Sequence, residues 1–184
     1  MIYLVRHGLD DENYIGGWSD VDLIDEGIKQ IESTREYIIN NLKINKIITS
    51  DIKRARTTAN IINEQLELPL EIDKTLRELD KGDYTGIKKD TLTKEEKEFI
   101  KNITIYDIYP NGESMKGFYE RIVKIIPTLK KYEDSLVVTH RGVINMIYYY
   151  LNDIEVDMNK ERFNVTHGSV HELDLNNKKI RRIY

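Results

Sequence analysis

A chain of 184 residues, 40% hydrophobic and 33% charged, has the size and composition of one globular domain with its own core. A net charge of −4 argues against a general nucleic-acid binder, and the lack of cysteine removes disulfides and thiolate metal sites. The apolar runs at residues 2–5 and 143–151 are too short for a signal peptide or a membrane span. A cytoplasmic protein with no membrane partner is therefore expected.

Residues 2–5 stop abruptly at Arg6-His7-Gly8, which predicts a buried strand opening into a loop. Ile24, Ile28, Ile31, Tyr37, Ile38 and Leu42 keep a helical period over 23–42, with Asp25 as its cap. Residues 47–49 read as a second buried strand, and Asp51 as the cap of a helix to about Leu66. An edge strand follows at 68–72. Within the charged stretch 78–110, Thr93 and Glu96 have capping-box spacing and start a short helix. Ser114 opens a helix to Leu129, with Phe118, Ile122, Ile125 and Leu129 on one face. Residues 136–138 form a third buried strand that delivers Thr139-His140-Arg141-Gly142 to a loop before a helix at 143–151. Segments 169–175 and 179–184 flank Asn176-Asn177 as a hairpin.

No repeat, low-complexity tract or linker divides the chain, so residues 1–184 are expected to form a single domain. Strands alternating with helices predict an α/β fold, a three-layer α/β/α sandwich around a mainly parallel sheet. Ligands of such sheets bind beyond the carboxyl ends of the strands. His7 and His140 both fall there, each beside an arginine. One such histidine more often serves packing; two of them make a shared anion site an equal reading.

Six blocks then follow one another along nearly the whole chain. They are Leu4-Val5-Arg6-His7-Gly8 with Asn13; Gly17-Trp18-Ser19-Asp20 with Leu23 and Gly27; and Ser50-Asp51-Ile52-Lys53-Arg54-Ala55 with Thr57-Thr58-Ala59. Next come Leu76-Arg77-Glu78 with Gly82, Tyr84 and Gly86; Asn111-Gly112-Glu113-Ser114; and Val137-Val138-Thr139-His140. In this order they resemble the motifs of the histidine phosphatase superfamily, also called the phosphoglycerate mutase-like family.

The resemblance implies a phosphoglycerate mutase-like fold with a small lid-like insert at about 81–110, and a covalent phosphohistidine on His7. It implies Arg6, Asn13, Arg54 and His140 around the phosphoryl group, with Arg141 at its rim. Glu78 is implied as general acid and then base, a role that the residues alone do not assign among 32 acids. Gly17, Trp18, Lys81 and Tyr84 are candidates for the substrate pocket, although Trp18 reads equally well as a packing residue. No cofactor and no metal are implied. The chemistry agrees: a neutral imidazole is a competent nucleophile once oriented, and arginine forks match phosphate oxygens.

Three positions depart from the family pattern. Leu9 stands where many members carry a polar or acidic residue. Lys81 replaces a common aromatic and, if it faces the pocket, favours a second anionic group on the substrate. Arg141 replaces the glycine that commonly follows the second histidine. His167 and His171 are expected on one strand, where i and i+4 lie roughly 13 Å apart, too far to share an ion.

Hydrolysis of small phosphomonoesters is the expected activity. Cofactor-dependent mutase transfer is the alternative; residues 79–111 offer lysines but none of the arginines that mutases of this family carry for a second acidic group. A non-catalytic phospho-ligand or protein-binding module is the further alternative, against which the intact His7, Arg6, Arg54, Glu78 and His140 argue. The expected partner is a small phosphomonoester, and a homodimer is compatible with the sequence. Phosphosugars, phosphoglycerates, α-ribazole phosphate and phosphoserine all stay open as substrates.

Overall fold

A computed structural model describes residues 1–184. Six strands form one sheet: β1 (Ile2–Arg6), β2 (Lys46–Thr49), β3 (Leu70–Ile72), β4 (Ser135–Thr139), β5 (Val170–Asp174) and β6 (Lys179–Arg182). Their order is β3-β2-β4-β1-β5-β6; the pairings among the first four are parallel, and the β1–β5 and β5–β6 pairings are antiparallel. The sheet is mixed and mainly parallel, as an α/β chain ending in a hairpin requires.

The helices are α1 (Asp25–Asn41), α2 (Lys53–Leu66), α3 (Lys94–Asn102), α4 (Met115–Ile125) and α5 (Arg141–Leu151). Period-two alternation sends neighbouring side chains of each strand to opposite faces. Val5, Ile47, Leu136, Val138 and Val170 pack under α1 and α2, with Ile31, Ile38, Ala59 and Ile62. Leu4, Ile48, Val137 and Leu173 pack under α4 and α5, with Phe118, Ile122, Ile144 and Ile147. Both faces are thus covered, which is why the centres of β1, β2 and β4 read as apolar runs.

Two helix starts differ from expectation. Helix α2 begins at Lys53 after Ile52, because the Asp51 carboxylate is drawn away into a two-pronged pair with Arg77 (2.7 and 2.5 Å). Asp25 is not the cap of α1 but its first residue, where a carboxylate still favours the positive end of the helix. Thr93 and Glu96 make the capping box on α3, and Ser114 caps α4. Pro127 lies in a 3₁₀ segment, Ile126–Tyr132, that follows α4.

The insert near 81–110 holds two 3₁₀ turns, Gly82–Tyr84 and Lys89–Thr91, and helix α3. An aromatic cluster fixes it, with Tyr84 stacked on Phe99 and both edge-on to Tyr109. No helix is long and apolar enough to cross a membrane.

Candidate active site

Strands β1, β2 and β4 run parallel and end together, so the residues following them converge. Arg6 ends β1 and His7 follows it, Ser50 follows β2, and His140 precedes α5. The His7 amide donates to the Thr139 carbonyl (3.0 Å), tying the first loop to the last residue of β4. The rings of His7 and His140 lie 5.3 Å apart between centroids. Arg54, in the first turn of α2, is only 2% exposed despite its charge.

The orientation of His7 is fixed from both sides. Its Nδ1 lies 2.8 Å from the Gly8 carbonyl, which can only accept, so Nδ1 carries the proton. The lone pair is then on Nε2, which accepts from Arg54 Nε at 3.2 Å. Burial, with Arg54, His140 and Arg6 nearby, holds the pKa of His7 well below its usual value. His140 is depressed in the same way by burial, Arg54 and Arg6. Both rings are therefore neutral at pH 7 in the unliganded protein. His140 Nε2 meets Ser50 Oγ at 2.9 Å, while its Nδ1 is buried without a partner.

Backbone carbonyls aim the two arginines. Arg54 Nη2 donates to Gly17 O (2.8 Å) and Nη1 to Ser19 Oγ (3.2 Å), so the Gly17-to-Ser19 turn is what positions the guanidinium. Arg6 Nη1 donates to Val165 O (2.8 Å) and Nη2 to His167 Nε2 (2.5 Å), and its buried Nε is unpartnered. Burial and the nearby charge of Arg141 lower the pKa of Arg6 to about 10, which leaves it charged at neutral pH.

Glu78 enters from the segment after β3. Its carboxylate accepts from its neighbour Leu79 N (2.9 Å) and from Gly142 N (3.0 Å) in the first turn of α5. The approach is so close that a Cβ at Gly142 would stand 2.0 Å from Glu78 Oε1. The Glu78 carbonyl is held from behind by Arg121 Nη2 (3.1 Å) and Trp18 Nε1 (2.7 Å). Arg6, His7, Arg54, Glu78, Gly17, Lys81 and Arg141 all line one cavity of about 570 Å³.

Four sequence candidates do not line the cavity; one is His140, fully buried beside His7, and the other three lie elsewhere. Asn13 is exposed, outside the cavity lining, and its amide donates to Asp11 Oδ1 (2.7 Å). Trp18 lies outside the lining: its ring packs 4.4 Å from the Arg77 guanidinium, and its indole N–H steadies the Glu78 backbone. Tyr84 is buried in the aromatic core of the insert, away from the cavity wall. Arg141 reaches the lining, with its guanidinium paired to Glu161 (2.5 Å).

His167 and Asp10 were not anticipated. The pairing expected for 169–175 begins only at Val170, so His167 sits in the turn before β5 and not on the strand. Because β5 pairs antiparallel with β1 (Val5 opposite Val170), that turn is laid against Arg6 and His7. The Gly168 amide donates to the Arg6 carbonyl (3.1 Å), and the His167 ring lies 5.6 Å from that of His7. Leu9 offers no polar group, but the next residue does: Asp10 Oδ2 is 3.5 Å from Arg54 Nε and Oδ1 is 3.7 Å from His167 Nε2.

His7, Asp10 and His167 are close enough to surround a metal ion. The residues do not fit one: Arg54 and Arg6 donate to the Nε2 atoms of His7 and His167, and two fixed positive charges at the ligand atoms would repel a cation there. The neutral imidazoles of His7 and His140 beside two fixed guanidiniums suit a phosphate dianion instead.

The comparisons with known proteins agree with that chemistry. The family model of the histidine phosphatase superfamily (branch 1) matches residues 2–183. The chain is 35% identical over 158 residues to phosphoglycerate mutase-like protein 4 of Arabidopsis thaliana, covering 80% of this chain and 69% of that one. It is 26% identical over 186 residues to the adenosylcobalamin/alpha-ribazole phosphatase of Escherichia coli, covering 96% and 91%. Its fold matches that of a mycobacterial glucosyl-3-phosphoglycerate phosphatase with a TM-score of 0.75 at 21% identity, over 99% of this chain and 95% of the other.

Proposed function

Because the chain belongs to the histidine phosphatase superfamily, we propose that it hydrolyses small phosphomonoesters through a covalent phosphohistidine on His7. The observation that carries this reading is the state of His7: neutral, with Nδ1–H fixed on the Gly8 carbonyl and its lone pair on Nε2. A neutral, oriented imidazole needs no separate base to attack phosphorus.

In the first step the substrate phosphate replaces His7 Nε2 as the acceptor of Arg54 Nε. Nε2 then attacks phosphorus, the P–O bond to the leaving group breaks, and the charge passes onto the phosphoryl oxygens between Arg6, Arg54 and His140. Each charge-matched donor of this kind supplies about 3 kcal/mol of transition-state stabilisation in other enzymes. Protonation of His140 on dianion binding would add a further positive charge. Glu78 gives its proton to the leaving oxygen, then takes one from the water that cleaves the P–N bond. Inorganic phosphate and free His7 result.

A panel of phosphomonoesters, assayed in the presence of chelator with wild type and His7→Ala, tests the reaction. Phosphate release by wild type that chelator does not affect and that His7→Ala abolishes is expected. Undiminished release by His7→Ala would sink the nucleophile. Phosphoryl transfer between positions of a phosphoglycerate, faster than release to water, would replace hydrolysis with the mutase reading.

A further inference from the structure

The block Asn111-Gly112-Glu113-Ser114 supplies the cap of α4 in Ser114, but none of its residues lines the cavity. Glu113 faces the segment that carries Glu78. Its Oε1 accepts from Asp80 N (2.9 Å), and the Asp80 carbonyl accepts in turn from Glu113 N (3.0 Å). Gly112 allows this approach, since a Cβ there would stand 2.6 Å from Asp80 O. Glu113 also takes a side-on fork from Arg121 in α4, with Nε 3.1 Å from Oε2 and Nη2 2.7 Å from Oε1.

The other edge of the Arg121 guanidinium faces main-chain carbonyls. Nη1 donates to Thr75 O and Arg77 O (3.3 Å each), and Nη2 to Arg77 O (3.3 Å) and Glu78 O (3.1 Å). Residues 77–81 belong to neither helix nor strand, so no ladder of their own fixes their backbone. Trp18 Nε1 is the second donor to Glu78 O, which fills both lone pairs of that carbonyl. Phe118, three residues before Arg121 on the same helix face, lies 4.9 Å under the guanidinium and against the Gly142 turn that receives the Glu78 carboxylate. Glu78 is thus gripped at both ends, its carbonyl by Arg121 and its carboxylate by Gly142 N. The Arg121 and Glu113 side chains are 28% and 20% exposed, where an ion pair adds little to stability. A planar fork that meets a carboxylate and three carbonyls at once fixes geometry instead.

We propose that Arg121, braced by Glu113, is the positioning residue for proton transfer: it sets the main chain of Glu78 so that the carboxylate meets the leaving oxygen, and it touches no substrate itself. This deepens the phosphatase reading and rests on it for the role of Glu78. Arg121→Lys keeps the charge but cannot hold the carboxylate and the three carbonyls together. Glu78 is then expected to drift, while the phosphate cluster, built on β1, α2 and β4, stays in place.

The test measures kcat and KM on glycerol 3-phosphate and p-nitrophenyl phosphate. The proteins are wild type, Arg121→Lys, Glu113→Gln, Glu78→Gln and the double variant of Arg121→Lys with Glu78→Gln, each checked for folding by thermal melting. Arg121→Lys is expected to lower kcat about tenfold on the alkyl ester and less than about threefold on p-nitrophenyl phosphate, with each KM within about threefold of wild type. Glu113→Gln, which weakens the brace, is expected to show the same split at smaller size. Added to Glu78→Gln, Arg121→Lys is expected to cost less than about twofold more on either ester, because no proton donor is left to misplace. Equal losses on the two esters, losses that multiply in the double variant, undiminished kcat in both single variants, or failure of both to fold would overturn the positioning role. Glu78→Gln alone reports on the underlying reading. If it shows no split between the esters, Glu78 is not the proton donor; if it does and Arg121→Lys does not, only the positioning role fails.

Discussion

Replacing Gly142 by Ala puts a Cβ 2.0 Å from Glu78 Oε1 and 2.8 Å from Phe118 Cε1, where ordinary contacts begin near 3.4 Å. The Phe118 ring is fully buried and cannot yield far, so the Glu78 carboxylate must retreat by about 1.4 Å. A misplacement near 1 Å of a reacting group costs about 10²-fold in rate. That loss depends on the leaving group, because only a poor one needs the proton that Glu78 is proposed to give. For alkyl phosphates kcat is expected to fall about 100-fold, and for p-nitrophenyl phosphate by less than about tenfold. Alanine is favoured over glycine in a helix by about 1 kcal/mol, which offsets part of the crowding, so thermal unfolding should confirm a folded variant. Steady-state kinetics on both substrates decide the matter. Equal losses on the two, or no loss on either, would refute Glu78 as the proton donor.

Arg54→Lys keeps the charge but loses the planar fork that reaches Gly17 O, Ser19 Oγ and His7 Nε2 together. A kcat reduced about 100-fold with KM changed less is expected, and a kcat within threefold of wild type would count against Arg54 as a transition-state ligand. Stability should also fall on the acid side. Burial of His171, with a smaller push from Arg182, lowers its folded-state pKa to about 4, and His7 and His140 are depressed as well. The unfolded chain takes up these protons near pH 6.5 while the folded one refuses them, so stability is full above that pH and drains away as pH falls toward 4. His171 alone contributes about 3 kcal/mol to that loss. Urea midpoints measured from pH 7 to pH 4 should be flatter for His171→Gln than for wild type; parallel curves would contradict it.

Much of the scaffold was legible because the local pattern and the tertiary demand coincide. Strands β1, β2 and β4 are buried on both faces and so have apolar centres, and the Thr93–Glu96 capping box is a purely local device. At Asp51, Trp18 and Tyr84 the outcome has one cause, competition from partners distant in sequence. Asp51 had the chemistry of a cap, but Arg77, 26 residues away, is the stronger partner. Trp18 and Tyr84 stand close in sequence to Gly17 and Lys81, which do line the cavity, yet packing against Arg77 and Phe99 takes their rings away. His167 was invisible as a site residue because its place depends on β5 pairing antiparallel with β1, and no periodicity encodes that choice. Asp10, three residues after His7, could have been found from proximity alone.

The covalent intermediate is open to direct observation. Wild-type protein mixed with a fast substrate such as p-nitrophenyl phosphate, quenched in base because phosphohistidine is acid-labile, and digested should yield one phosphorylated peptide, modified on His7. The same peptide from His7→Ala should carry no phosphoryl group. Rapid hydrolysis with no modified histidine at any quench time, or a phosphoryl group carried on another residue, would contradict His7 as the nucleophile.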